Sequence, residues 1–175
     1  MAALLDGLAS DRPVPASGSA AAAVIAMSSA LLEKVARLSS AKWASAGAAF
    51  EEAHALRLRA EELVEADANS YMSYVEAVRS AKNVQGKARE RVIAPARAAT
   101  IDVPLAIARL AAEAVELADA LAEKGNPNLR ADAMVAARLI AVNLSGARDP
   151  RSTEAGRIAR AATDKAAAIG SLEVY

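Results

Sequence analysis

The chain has 175 residues, with 21 basic and 21 acidic side chains, no cysteine and a single histidine. That balance provides no basic field for nucleic acid or acidic lipid, the missing cysteines exclude disulfides and thiolate metal sites, and a lone His54 argues against a histidine-bound metal or a serine triad. Acid–base chemistry would therefore fall to carboxylates, and the expected partner is a small molecule or a second copy of the chain.

The length suits one domain over residues 1–175 with a genuine core. Alanine dominates, aromatics are only 3%, and β-branched runs of period two are absent, so strands have little to form from. The expected class is all-α: an elongated antiparallel bundle of about five to six helices. Met1–Leu8 lacks the cationic start of a signal sequence, and no apolar run is read as reaching the roughly 20 residues of a membrane span. A soluble, cytoplasmic protein is expected.

A short first helix over 2–9 has Leu4, Leu5 and Leu8 as its apolar edge. Pro13 and Pro15 then force an extended entry. Ser17, Gly18 and Ser19 follow, offering hydroxyls and a glycine free to take positive φ at the start of a second helix. Such an end exposes amide donors and suits an anionic or carbonyl-bearing ligand, although an ordinary capped helix start would look the same. The second helix is predicted over about Ser19 to Ala44. Its stripe is Ala20, Val24, Met27, Leu31, Val35 and Leu38, with alanine and serine opposite, as expected of a central helix contacted from two directions. Arg37 and Lys42 emerge toward its end.

The third helix spans about Ala48 to Ala81, with Leu56, Leu63, Val64, Tyr71, Tyr74, Val75 and Val78 as its stripe. Asp67 interrupts that stripe. On the buried side an ionised carboxylate costs several kcal/mol unless paired, so Asp67 is either satisfied by a helix end or arginine, or functional. His54 lies on the outer charged side and receives no role. The basic residues Lys87, Arg89, Arg91 and Arg97 have no aromatics among them and read as a solvated face. A fourth helix from Lys87 to Glu123 should break or kink near Pro104. Asn126-Pro127 starts a fifth, extending to about Ala147, with Leu129, Ala133, Ala136, Ile140 and Leu144 inward and Asp132 and Asn143 beside or on that stripe. Asp132 could simply complement the helix dipole. A sixth, over Ser152 to Ile169, is amphipathic through Ile158, Ala162 and Ala166.

Several short stretches together resemble the cyclodeaminase/cyclohydrolase family, which includes the C-terminal domain of formiminotransferase-cyclodeaminase and bacterial methenyltetrahydrofolate cyclohydrolases. Pro13-Val-Pro-Ala-Ser-Gly-Ser19 resembles its P-x-P-G-G-G-S, and Asp67-Ala-Asn-Ser-Tyr71 its D-x-x-x-[FY]. Val103-Pro-Leu105 matches its V-P-L, and Lys124-Gly-Asn-Pro-Asn128 with Ala131-Asp-Ala133 its K-G-N-P-N and S-D-A. Ala16 and Ser17 stand where the family has glycine, and Ala131 where it has serine.

The resemblance implies an all-α homodimer acting on one-carbon units of tetrahydrofolate, with no cofactor beyond the folate substrate itself. The reaction would be hydrolysis of methenyltetrahydrofolate to the 10-formyl form, or closure of formiminotetrahydrofolate with loss of ammonia. It places Asp67 at the catalytic acid/base position and Ser17, Gly18 and Ser19 in the folate-binding loop. Asp132 would meet the pterin, Arg37, Lys42 or Arg130 the glutamate tail, and Tyr71 and Asn143 would complete the substrate contacts. Two alternatives stand beside it: a divergent member acting on a non-folate imine or amidine, and a non-catalytic helical dimerisation module.

Overall fold

The computed structural model describes the backbone of residues 1–144 and 153–171. The elements run α1 (Ala2–Leu8), α2 (Ser17–Arg37), α3 (Ala46–Ser80), α4 (Gly86–Lys124), a 3₁₀ turn (Pro127–Leu129), α5 (Arg130–Leu144) and α6 (Thr153–Ser171). Among the described residues there is no strand, as the alanine-rich composition implies. The end of the predicted fifth helix, residues 145–147, and the first residue of the predicted sixth, Ser152, lie outside the described residues.

α2 is the centre of the bundle and packs against α3, α4 and α5, while α6 covers α4 and α5. α2 has 21 residues, but its antiparallel neighbour α3 has 35 and α4 has 39. Ser19 at the start of α2 meets Asp67, and Glu33 near its end meets Arg57. Residues 68–80 of α3 therefore run past α2 by about 20 Å at the usual helical rise. The first half of α4 returns beside them, with Arg89 Nη1 donating to the Ala81 carbonyl at 2.5 Å. This α3–α4 arm makes the bundle elongated, and it leaves Tyr71, Met72, Val92 and Ile101 exposed.

The buried face of α2 differs from the predicted one. The core takes Ser19, Ala22, Ala23, Ile25, Ser28, Ser29, Leu32, Val35 and Ala36, whereas Met27 is 47% and Leu38 50% exposed. Periodicity favours the larger side chains, but small ones let helix axes approach closely, and here the small-residue face wins. The same holds on α3, where Ala46, Ala49, Ala53, Leu56 and Ala60 are buried and Tyr71 is exposed. Leu5, expected on the apolar edge of α1, is exposed too. The predicted inward positions of α4, Ala108, Ala111, Val115 and Ala118, are buried, as are Ala133, Ala136 and Ile140 of α5.

Two further expectations are corrected. α4 continues through Pro95 and Pro104, so of the break or kink expected near Pro104 the break does not occur, since one missing N–H leaves the neighbouring helical bonds in place. α2 is long and apolar enough to cross a membrane, with a mean hydropathy of 1.4, contrary to the sequence reading. Half of that stretch is buried in the bundle, which fits a core helix.

α2 also ends earlier than predicted, at Arg37, because Ser39 competes for its backbone. Buried Ser39 donates its Oγ–H to the Val35 carbonyl at 2.7 Å, and its own N–H turns to Ala36 O at 3.0 Å. The Ser39 hydroxyl in turn accepts the Asn126 N–H at 2.8 Å, while Asn126 Nδ2 donates to the Leu38 carbonyl at 3.2 Å. Asn126 Oδ1 accepts from the Asn128 amide at 3.1 Å. Gly125 is required by this closeness, as a Cβ there would lie 2.9 Å from Ser39 Oγ and closer still to the Leu121 carbonyl. Lys124-Gly-Asn-Pro-Asn128 is thus a clasp between the end of α2 and the start of α5.

Asn126→Ala should lose about 1–2 kcal/mol of stability, a fall of roughly 2–8 °C in melting temperature. Asn128→Ala, which keeps the amide used here, should change it by less than about 2 °C. Thermal melts of both variants check the contrast, and equal losses would contradict the clasp.

Candidate functional site

The entry to α2 is built before any ligand chemistry enters. Pro13 and Pro15 keep the approach extended, the Val14–Pro15 peptide is cis, and Pro15 lies against buried Gly7 of α1. Ala16, at φ −135° and ψ −154°, is the N-cap without a side-chain capping bond. The first bond of the helix runs from Ala20 N–H to Ala16 O at 3.0 Å. Ser17, Gly18 and Ser19 are therefore the first turn itself, and their amides precede the helical ladder at its electropositive end.

Gly18 does not use the positive φ expected of it; among the described residues that conformation belongs to Gly86. Gly18 is needed for space. A Cβ on it would fall 2.5 Å from Asp67 Cγ and 2.7 Å from Asp67 Oδ2, far inside van der Waals contact. Ser19, fully buried, donates its Oγ–H to Asp67 Oδ2 at 3.0 Å. Ser70 Oγ–H binds the Asp67 carbonyl at 2.9 Å and steadies the same turn of α3. Asp67 is half-buried, and its carboxylate forms no ion pair among the described residues. A serine, not an arginine, satisfies the interruption in the α3 stripe.

One turn from this junction, Ala23 and Val64 line one part of an open groove of about 410 Å³ between α2 and α3. Its wall also includes Met1, Leu4, Ala26, Met27 and Ala30 and the charged Arg57, Glu61 and Glu65, and Asp67 lies just outside it. This combination of a mostly apolar cleft and a nearby carboxylate is the usual anatomy of a small-molecule site.

The sequence-predicted residues divide into two groups. Ser17, Gly18, Ser19 and Asp67 come together at the start of α2, with Tyr71 one turn further along α3 and 45% exposed. Arg37, Lys42 and Asp132 do not join them within one chain. Arg37 stands over the Phe50 ring at 4.6 Å, Lys42 is exposed in the turn after α2, and Asp132 pairs with Lys34 at 3.5 Å. Lys34 and Ser19 are about 22 Å apart along the axis of α2 by helical rise. Arg130 opens α5, and the Asn143 side chain lies outside the described residues. Sequence reasoning did not mark Glu33, whose Oε1 accepts from Arg57 Nε at 2.5 Å and sits 3.5 Å from His54. Within that cluster the Arg57–Glu61 contact at 2.7 Å and the His54–Arg57 contact at 3.1 Å carry a signal in their i, i+4 and i, i+3 spacing, whereas Glu33 on α2 carries none.

A family model described as formiminotransferase-cyclodeaminase matches residues 1–149. A methenyltetrahydrofolate cyclohydrolase from Methylorubrum extorquens is 36% identical over 140 residues, covering 75% of this chain and 67% of the relative. The crystal structure of a formiminotetrahydrofolate cyclodeaminase from Thermotoga maritima aligns with a TM-score of 0.73 at 20% identity, over 94% of this chain and 92% of that one. At that identity the structural match speaks to the fold, which is the same helical arrangement.

Gly18→Ala tests the junction directly. Alanine gains up to about 1 kcal/mol of helix propensity and loses about as much with the Ser19–Asp67 bond. The melting temperature should stay within about 4 °C, while a crystal structure of the variant shows the Asp67 carboxylate displaced from Ser19. An unmoved carboxylate would contradict the steric argument.

Proposed function

The chain belongs to the formiminotransferase-cyclodeaminase family, and from that premise we propose that it hydrolyses methenyltetrahydrofolate to 10-formyltetrahydrofolate with Asp67 as acid/base. The observation that carries this reading is the Asp67 carboxylate set against Gly18 at the open amides of α2, beside an apolar groove. The relative at 36% identity bears the hydrolase name, which favours water over ammonia as the exchanged molecule.

The chemistry follows from what such a group can do. Water adds to the electron-poor methenyl carbon, and Asp67 takes a proton from it, since a water is a poor nucleophile while it keeps both protons. The tetrahedral adduct then opens: its carbon–nitrogen bond to N5 breaks, Asp67 returns its proton to that nitrogen, and the remaining hydroxyl releases its proton as the formyl group forms. The net change is one water consumed and one proton released. The amides of Ser17 and Gly18 stabilise the oxygen as charge gathers on it. In the deamination, N10 would close on the formimino carbon and the same carboxyl would protonate departing ammonia. The flat pterin lies against Ala23, Ala26 and Ala30 of α2, with the exposed Met27 side chain beside it.

The protein acts as a cytoplasmic homodimer in this reading. Ala20, Val24, Met27, Leu31 and Leu38 form a stripe along α2 that the fold leaves partly or wholly exposed. Met27 is the middle residue of α2. A twofold axis near it would cover both halves of the stripe and bring the partner's Arg37 and Lys34 toward Asp67, placing the cations where the glutamate tail of a folate needs them.

Asp67→Asn should lower turnover of methenyltetrahydrofolate by about 10²–10⁴-fold, with unchanged helicity by circular dichroism. Decay of the methenyl absorbance reads it, and an unimpaired Asn variant would remove Asp67 from the mechanism. Leu38→Lys places a charge on the proposed interface away from the groove and should yield a helical monomer in sedimentation, with activity falling alongside dimer content. A wild-type chain that sediments as a monomer would remove the homodimer.

A further inference from the structure

We propose that Ser19 is a positioning residue for Asp67 and not a substrate contact. The inference rests on the reading of Asp67 as the acid/base. Ser19 lies in the first turn of α2, in the stretch that resembles a ligand loop, and by position it would be expected to touch the substrate. Its burial prevents this: no part of the residue is accessible, so a molecule in the groove cannot reach it. Its hydroxyl instead spends its proton on Asp67 Oδ2 at 3.0 Å, across 48 positions of sequence.

That bond makes the two carboxylate oxygens unequal. The terminal torsion of an aspartate is broad and roughly twofold, so an unrestrained carboxylate on α3 would present either oxygen in a spread of directions. Ser19 occupies one of them from below. The other, Oδ1, is the atom nearest to where a Gly18 side chain would stand, against the first turn of α2, and no protein donor binds it among the described residues. Oδ1 is thus the oxygen that takes and returns the proton. A catalytic group misdirected by an ångström or a few tens of degrees loses rate without losing affinity, and that is the signature Ser19 predicts.

The division of labour within Ser17-Gly-Ser19 follows. Ser17 is exposed and Gly18 half-buried, and these face the substrate; Ser19 works from behind. Serine is the smallest side chain with a hydroxyl, in keeping with the buried Ala22, Ala23 and Ala60 of the same two helices.

The test is steady-state kinetics of Ser19→Ala, Ser19→Thr and Asp67→Asn on methenyl- and formiminotetrahydrofolate, each rate normalised to folded protein by circular dichroism. Ser19→Ala should lower kcat about 10-fold with KM within twofold, and Ser19→Thr, which restores the hydroxyl, should recover at least part of it. If Ser19→Ala does not fold, Ser19→Cys, near in size but a poor donor, carries the same comparison. Wild-type kcat in the variant lacking the hydroxyl, or a raised KM at unchanged kcat, overturns the positioning role while an inactive Asp67→Asn leaves the functional reading standing. An active Asp67→Asn, or a wild-type chain that turns over neither substrate, overturns that reading and this inference with it.

Discussion

Gly18 and Asp67 need the same few cubic ångströms, and only the absence of a side chain on the first lets the second be there. The carboxylate enters the space a Cβ would fill and is met by a buried hydroxyl from the next residue. A half-buried carboxylate is costly when unpaired and modest when hydrogen-bonded. The start of α2 meets that requirement without cancelling the charge, as an arginine would have done.

This contact depends on how α2 and α3 pack. Alanines and serines make up most of the buried positions of α2 and α3, the axes can approach closely, and a single short side chain such as Ser19 can bridge them. A seam of leucines would hold the helices apart by the length of a methylene or two, beyond hydrogen-bond reach. Met27 of α2 and Leu38 just after it are turned outward, while Ile25, Leu32 and Val35 reach into the core. The helix then carries two apolar faces, one used within the chain and one facing away.

The far end of α2 has a different task. Ser39 stops the helix, and Asn126 and Gly125 close over the stop. The stretch Lys124 to Asn128 matches a family motif when read along the chain, and the backbone and side-chain amides of Asn126 are engaged within the turn and with the end of α2. It sets the register between α2 and α5, and so fixes where Lys34 and Asp132 meet. With α2 clasped at one end and bearing on Asp67 at the other, the helix is held at both of its exposed termini.

By itself the sequence determined the helical class, the order of the elements, and the candidacy of Asp67 as a polar residue in an apolar stripe. These are local properties: propensity, proline and glycine punctuation, and a period of 3.6 act within a few residues of one another. Only tertiary structure decided which face of α2 is buried, because the choice between a large-residue and a small-residue face depends on how near a second helix can come. It also decided that Gly18 is needed for space and not for φ, that Ser19 serves Asp67, and that Arg37, Lys42 and Asp132 stand at the opposite end of α2 from the carboxylate. Each of these is a relation between residues tens of positions apart, and close packing, unlike periodicity, leaves no mark on either segment alone.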